Sequence, residues 1–281
     1  MADKGPPNQA NMEIWNGAGG RTWADLHAMV DDLFEPLQGF LVNAAVAAGG
    51  KHVLDVGCGA GSTTLAVARV LGSESRCTGI DISEPLIALA NARVLAERAV
   101  KVTFVRGDAQ NYEFAARSFD TIMSRLVVMF FDDPETAFAN LRQAARPGAH
   151  LAFLAWRGRA ENPFMTAAER AVVSIVQELP AKPEGSPGQF AFASNTRVES
   201  ILQASGWSSI DVRPVDIACS LPLVKLPIYA TRMGPYGLVR GRLDDVVAAR
   251  ADNAVIAAFD SYVVRDQVRF TSALWMATAV A

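Results

Sequence analysis

VLDVGCGAGSTT, residues 53–64, sets three glycines at alternate positions between two apolar runs. HVLDV before it reads as a short buried strand, and STTLAVARVL after it as a helix. A glycine turn at that junction lets the helix start at once. It leaves no Cβ in the path of a ligand and offers backbone amides at a helix N-terminus. The stretch therefore predicts a cradle for a nucleotide-like cofactor. Gly57, Gly59 and Gly61 form G-x-G-x-G, not the G-x-G-x-x-G of dinucleotide folds, and Ser62 stands where that pattern wants its third glycine.

Working outward, strands and helices alternate. RCTGID is a strand and EPLIALANARVLAER a helix with Pro85 in its first turn, where proline is tolerated. KVTFVRGD and SFDTIMSR are strands. PETAFANLRQAAR is a helix closed by Pro147-Gly148, and HLAFLAW a strand. This rhythm predicts βαβ units, hence an α/β fold with a parallel sheet covered by helices on both faces. Upstream, residues 1–12 read as a loose tail, and 23–48 carry helical spacing, with Pro36 separating two helices or kinking one. Downstream, FMTAAERAVVSIVQEL reads as a helix, AKPEGSPGQFAFAS as a loop and TRVESILQASGW as a helix. SSIDVRPVDIACS reads as a strand, residues 242–263 as helical, and QVRFTSALWMATAV as a last strand.

The 281 residues are 51% hydrophobic and 20% charged, with a net charge of −3. That supports a sizeable core and offers no basic excess for nucleic acid. The polar opening MADKGPPNQA does not read as a signal peptide, and no apolar run approaches the length of a membrane span. Three scattered cysteines make neither a disulfide frame nor a zinc site, so a cytoplasmic compartment is expected.

Three strand ends carry acids: Asp55, Asp81 and Asp108. A carboxylate at Asp81 can accept both hydroxyls of a ribose. VLDVGCGAGSTT, GIDIS, VRGDAQ and FDTIMSRLVVMFFDDPETAFANLRQAARPGAHLAFLAW follow one another in the order of the motifs of class I S-adenosylmethionine-dependent methyltransferases, and over residues 50–156 the chain resembles that family. The resemblance implies a Rossmann-like doubly wound sheet of order 3-2-1-4-5-7-6 with strand 7 antiparallel. It implies a helical N-terminal cap (1–49), a cofactor-binding domain (50–221 and 264–281) and a helical lid insertion (222–263). S-adenosyl-L-methionine, leaving as S-adenosyl-L-homocysteine, would cross the switch point between strands 1 and 4.

Carried over residue by residue, the resemblance implies that Gly57, Cys58, Gly59 and Gly61 line the cofactor. Asp55 holds the loop or the amino group. Asp81 takes the ribose, Ile82 flanks the adenine, Asp108 accepts from its amino group, and Ala109 offers a backbone amide. Ser124 lies at the methionine end. Trp23 belongs to a lead-in segment, WNGAGGRTWADLH, that resembles a helix closing over the cofactor in small-molecule members. His27, in the helix that could fold over the site, is the candidate general base or a cofactor contact. Arg125 is expected either to steer an anionic acceptor or to pair with Asp132 or Asp133. Trp15, Trp23, Trp156, Phe190, Phe192, Tyr229 and Tyr236 suggest an apolar acceptor pocket under a lid. No clustered acids with histidine suggest a metal.

SRLV stands after strand 4 where adenine- or glutamine-directed N-methyltransferases carry an Asn-Pro-Pro-Tyr type motif. The expected activity is therefore methyl transfer to O, N or C of a small organic acceptor, without nucleic acid or membrane and with a homodimer possible. A cofactor-binding protein that does not methylate, a regulator or a cyclase, is the alternative. A nicotinamide-dependent oxidoreductase is disfavoured by G-x-G-x-G and by the third acid.

Overall fold

A computed structural model of the chain describes residues 8–177, 179 and 186–281. The chain opens with helices α1 (Gln9–Asn16), α2 (Ala18–Asp25) and α3 (His27–Ala47). Then come β1 (His52–Val56), α4 (Ser62–Leu71), β2 (Arg76–Asp81), α5 (Glu84–Glu97), β3 (Val102–Arg106), β4 (Phe119–Arg125), α6 (Pro134–Ala144) and β5 (Ala145–Trp156). After α7 (Ala167–Val172), α8 (Asn195–Ala204) and β6 (Ser208–Pro222) lie α9 (Leu226–Arg232), α10 (Gly234–Val239) and α11 (Asp245–Ala257). β7 (Val263–Val264) and β8 (Gln267–Val280) end the chain.

The eight strands make one sheet of order β3-β2-β1-β4-β5-β8-β6, with β7 beside β8. β1 to β5 pair in parallel, and β8 runs antiparallel between β5 and β6. This is the expected order, with the C-terminal strand in the antiparallel place. Right-handed crossovers put α4 and α5 on one face and α6 on the other, because the order reverses between β1 and β4. Register keeps the strand ends level. Val56 lies opposite Ile80, Asp81 opposite Arg106, and Asp55 opposite Met123. The residues that follow each strand therefore emerge along one edge.

Several local readings give way to tertiary structure. Residues 8–12 are not a tail. Asn8 is only 3% exposed and α1 begins at once, held by side-chain bonds described below. α3 runs unbroken through Pro36, and the break falls at Leu26 instead. Leu33, Leu37 and Leu41 on that helix are fully buried, and their packing outweighs the hydrogen bond that Pro36 cannot donate. α6 stops at Ala144, and Pro147-Gly148 lie inside β5, not at a helix end. A bulge between Phe119 and Thr121 of β4 absorbs them, so no ladder hydrogen bond falls on the proline. The helix read over 164–179 shrinks to α7, because Phe164 leaves it to stack on Phe270 at 3.7 Å between centroids. Residue 178 of that reading and residues 181–185 of the loop read after it lie outside the described residues.

Past the end of β5, β6 and β8 continue as an arm from Ile217↔Ser272 to Pro222↔Gln267, where β7 joins β8 on its other side. Phe164, Tyr229, Phe259, Tyr262 and Phe270 form one aromatic cluster at this arm. α7, α9, α10 and α11 pack together around it. One ion pair, Arg232 to Asp25 at 2.9 Å, links α9 to α2.

Candidate cofactor and active site

Each glycine of the 57–61 loop has a positive φ, +71°, +53° and +82° in order, a region that other residues enter at a cost. Their reasons differ. A Cβ on Gly57 would stand 2.2 Å from Val127 Cγ1, and one on Gly61 2.4 Å from Phe104 Cζ. Both are glycine because side chains pack against them. A Cβ on Gly59 would meet nothing within 4 Å, so this is the glycine with an open approach. The loop hangs from β2, since Gly57 and Cys58 donate their amides to Ile80 O at 2.8 and 3.1 Å. Cys58 is buried, which with the negative charges of Asp81 and Asp55 pushes its thiol well above the ordinary value. It is a packing residue, not a nucleophile.

Asp81 faces this loop across the edge. Its Oδ2 accepts the Gly59 amide at 2.8 Å and its Oδ1 the Ser83 amide at 2.8 Å. Enclosure raises its pKa, while the two amides pull it back down. A carboxylate has about four acceptor sites, so capacity remains for a diol. Ile82 follows directly, and its carbonyl accepts Asn16 Nδ2 at 3.1 Å. Ala109 is buried beside Asp108, with its carbonyl tied to Asn140 Nδ2 at 3.0 Å.

Sequence reasoning missed what roofs this edge. Asn8 Nδ2 donates to both carboxylate oxygens of Asp108, at 2.9 and 2.8 Å. Its Oδ1 accepts the Asp132 amide at 2.8 Å, and its own amide reaches Asp132 Oδ2 at 2.5 Å. Gln110 adds a bond from its amide to Asp108 Oδ1 at 3.0 Å. Asn11 Nδ2 donates to Phe130 O at 2.6 Å, Ser83 Oγ to Trp15 O at 2.7 Å, and the Glu84 amide to Asn16 Oδ1 at 2.9 Å. Residues 8–16 thus cross the ends of β2 and β3 and reach the segment after β4. Trp23 joins them through an edge contact with Trp15 at 5.6 Å. The available signal was compositional: asparagines, which favour caps and side-chain-to-backbone bonds, recur at 8, 11 and 16.

The other end of the edge is charged. Asp55 is fully enclosed, and burial pushes its pKa up to about 6, although Thr64 Oγ1 donates to it at 2.6 Å. Ser124 Oγ donates to Val56 O at 2.8 Å and so ties β4 to β1. Arg125, the next residue, carries a buried Nη1 with no hydrogen-bond partner among the described residues. Asp31 and Asp55 are the opposite charges acting on it, and Arg93 the like one. It does not pair with Asp132, which holds Asn8, nor with Asp133, which caps α6 through the Thr136 amide at 3.0 Å. Arg93 binds Asp31 Oδ2 at 2.7 Å and Ala60 O at 3.1 Å, which clamps α3 to the glycine loop.

His27 opens α3, one turn before Asp31 and on the same face. Its Nδ1 lies 2.8 Å from Ala24 O. A carbonyl only accepts, so Nδ1 carries the proton and Nε2 of the neutral ring keeps its lone pair. The seven aromatics, by contrast, do not gather round one pocket. Trp15 and Trp23 belong to the roof, while Trp156 packs edge-on against Phe34 of α3. Phe192 packs with Phe138 and Phe153, Phe190 lies under the Arg159 guanidinium, and Tyr229 sits in the arm cluster. Tyr236 donates to Asp252 at 2.7 Å. Core packing claims Trp156 and Phe192, which are 3% and 1% exposed.

Comparison with known proteins agrees with this architecture. Residues 54–153 match the family model described as a methyltransferase domain. The chain is 31% identical over 136 residues to the uncharacterized protein Rv1405c of Mycobacterium tuberculosis, covering 48% of each. It is 31% identical over 122 residues to the aklanonic acid methyltransferase DauC of a Streptomyces species, covering 43% of this chain and 56% of that one. The chain thus spans about half the length of the curated relatives it matches. Among solved structures, magnesium protoporphyrin IX methyltransferase from Synechocystis with bound S-adenosylhomocysteine shares the fold. The TM-score is 0.58 at 16% identity, over 97% of this chain and 98% of that one. Fold, motif order and family match agree, and together they support a class I S-adenosylmethionine-dependent methyltransferase domain over residues 54–153.

Proposed function

We propose that the protein binds S-adenosyl-L-methionine along the β1–β4 edge and transfers its methyl group to O, N or C of a small organic acceptor. The observation that carries this reading is the convergence of Gly59, Asp81 and Asp108 on one edge, with a bare backbone at Gly59 where a ligand can approach. The residues fit the cofactor's chemistry. Asp81 offers acceptors for a diol, Asp108 for an exocyclic amine and Asp55 for an ammonium, and the Gly59 backbone lets a thioether chain pass close. The name of the Streptomyces relative, that of a small organic acid, supports a small acceptor.

The sulfonium cofactor supplies an activated methyl group that leaves by in-line displacement, a reaction that needs no Lewis acid. The protein's share is alignment and exclusion of water. The glycine loop and Asp81 fix one end, and the Asn8–Trp23 roof keeps solvent out. We assign the cap to residues 1–49, the cofactor domain to 50–221 and 264–281, and the lid to 222–263. We take His27, at the start of α3, as the base that removes a proton from a neutral hydroxyl or amine acceptor; an acceptor that arrives ionised does not use it.

Calorimetry with S-adenosylmethionine and with NAD tests the cofactor assignment. The sulfonium compound binds and NAD does not, and Asp81→Ala weakens binding by about 1–3 kcal/mol, the cost of unpairing buried polar groups. Equal affinity in the variant removes Asp81 from the site, and preference for NAD removes the reading. Incubation with methyl-labelled cofactor and a panel of phenols, acids and amines then reads transfer; occupancy without transfer to any of them favours the non-methylating alternative.

A further inference from the structure

Among the described residues of the edge, Arg125 is the one whose surroundings leave a buried charged donor unused. Ser124 beside it spends its hydroxyl on Val56 O, and Val127 beyond it packs on Gly57. The backbone between them is pinned, since the Leu126 amide donates to Leu154 O at 3.0 Å. Leu126 itself sits at φ +62°, a conformation unfavourable for leucine that the pinning enforces. The backbone from which the guanidinium extends is therefore fixed.

Its Nη1 is shut off from solvent and makes no hydrogen bond among the described residues. Buried guanidinium groups are ordinarily paired, because an unused charged donor in a water-poor site is costly. The nearby acids do not fill this need. Asp31 is bound to Arg93 at 2.7 Å, and Asp55 takes its short bond from Thr64 at 2.6 Å. With Arg93 and Arg125 facing Asp31 and Asp55, the cluster has no spare negative charge. A planar fork with an open donor between β1, β4 and α3 suits one ligand chemistry above others, a carboxylate.

We infer that Arg125 is a carboxylate anchor, taking a carboxylate from a ligand that enters the Asp55 end of the crevice. The inference rests on the proposed function for one of two sources: the α-carboxylate of the cofactor's methionine part, or a carboxylate on the acceptor. In either case Arg125 sets specificity and the proton chemistry lies elsewhere, with His27.

The test measures binding to the full chain, wild type and the variants Arg125→Gln and Arg125→Lys. One arm compares S-adenosylhomocysteine with its decarboxylated analogue, S-adenosyl-3-thiopropylamine. The other compares salicylate with salicylamide. 5′-Methylthioadenosine, which lacks the amino acid altogether, and the melting temperature report on whether each variant keeps its fold and its nucleoside site. The wild type prefers the carboxylate partner of one pair by about 10- to 100-fold, the range expected for a charge-assisted bond in an enclosed site. Arg125→Gln abolishes that preference with methylthioadenosine affinity unchanged, and Arg125→Lys, which keeps the charge without the fork, retains part of it. Loss of the adenosyl preference assigns the carboxylate to the cofactor; loss of the salicylate preference assigns it to the acceptor. Should Arg125→Gln not fold, the Lys variant and the wild-type preferences carry the test. A wild type with no preference in either pair, or a variant that keeps the full preference, overturns the anchor. Failure of the wild type to bind any adenosyl compound overturns the methyltransferase reading instead, and the salicylate arm still decides for or against the anchor.

Discussion

Asp55 carries the largest conflict between charge and burial at this edge. Its carboxyl titrates near 6 instead of 3.8, with desolvation as the main cause, Asp81 adding to it, and Thr64 and Arg125 opposing. A carboxyl whose folded pKa exceeds its unfolded one stabilises the fold while protonated. That contribution is complete below about pH 4 and is lost as pH rises through 6. The span corresponds to about 3 kcal/mol at most. Asp55→Asn stays neutral and still accepts from Thr64. Its melting temperature, measured without ligand, therefore gains on the wild type from pH 4 to pH 7 and keeps a constant lead above that. A lead independent of pH places the destabilising charge elsewhere. Asp55, Asp81 and Asp108 were legible in the sequence because each lies within two residues of the end of a strand whose apolar run announces it. Asn8 was not. Its partner Asp108 lies 100 positions away, and no local pattern reports a contact of that kind.

At the scale of elements, β1 to β4, α4 and α5 were legible because apolar runs and glycine or proline punctuation agree with the tertiary structure there. The misses share a cause: α1, the unbroken α3 and the long β5 are each decided by distant partners. For α1 these partners are the hydrogen bonds of Asn8, Asn11 and Asn16 to Asp108, Phe130 and Ile82. A helix of eight residues has little stability of its own, whatever its composition. Asn8→Ala is therefore expected to release the roof. Amide exchange accelerates across Gln9–Asp25, while β1 to β4 remain protected. Uniform protection in the variant assigns the roof's stability to Trp15 and Trp23 instead.

Over the whole molecule, the sheet order, the antiparallel last strand and the level carboxyl ends of β1–β4 followed from the motif order. What did not follow was the distribution of the aromatic residues. Rings read as one acceptor pocket are divided among the roof, the core and the arm cluster, where Phe164 on Phe270 anchors α7 and its neighbours. Hydropathy marks a ring as buried but not against what. The proposed function accordingly looks for the acceptor at the charged end, around His27, Asp31 and Arg125. The most direct test of the account is a crystal structure of the full chain with S-adenosylhomocysteine. The account predicts the ribose hydroxyls within hydrogen-bond distance of Asp81, the adenine beside Asp108 under the Asn8–Asn16 roof, and the thioether over Gly59. A nucleoside bound away from the β1–β4 edge, or bound there with Asp81 facing no ribose oxygen, contradicts it.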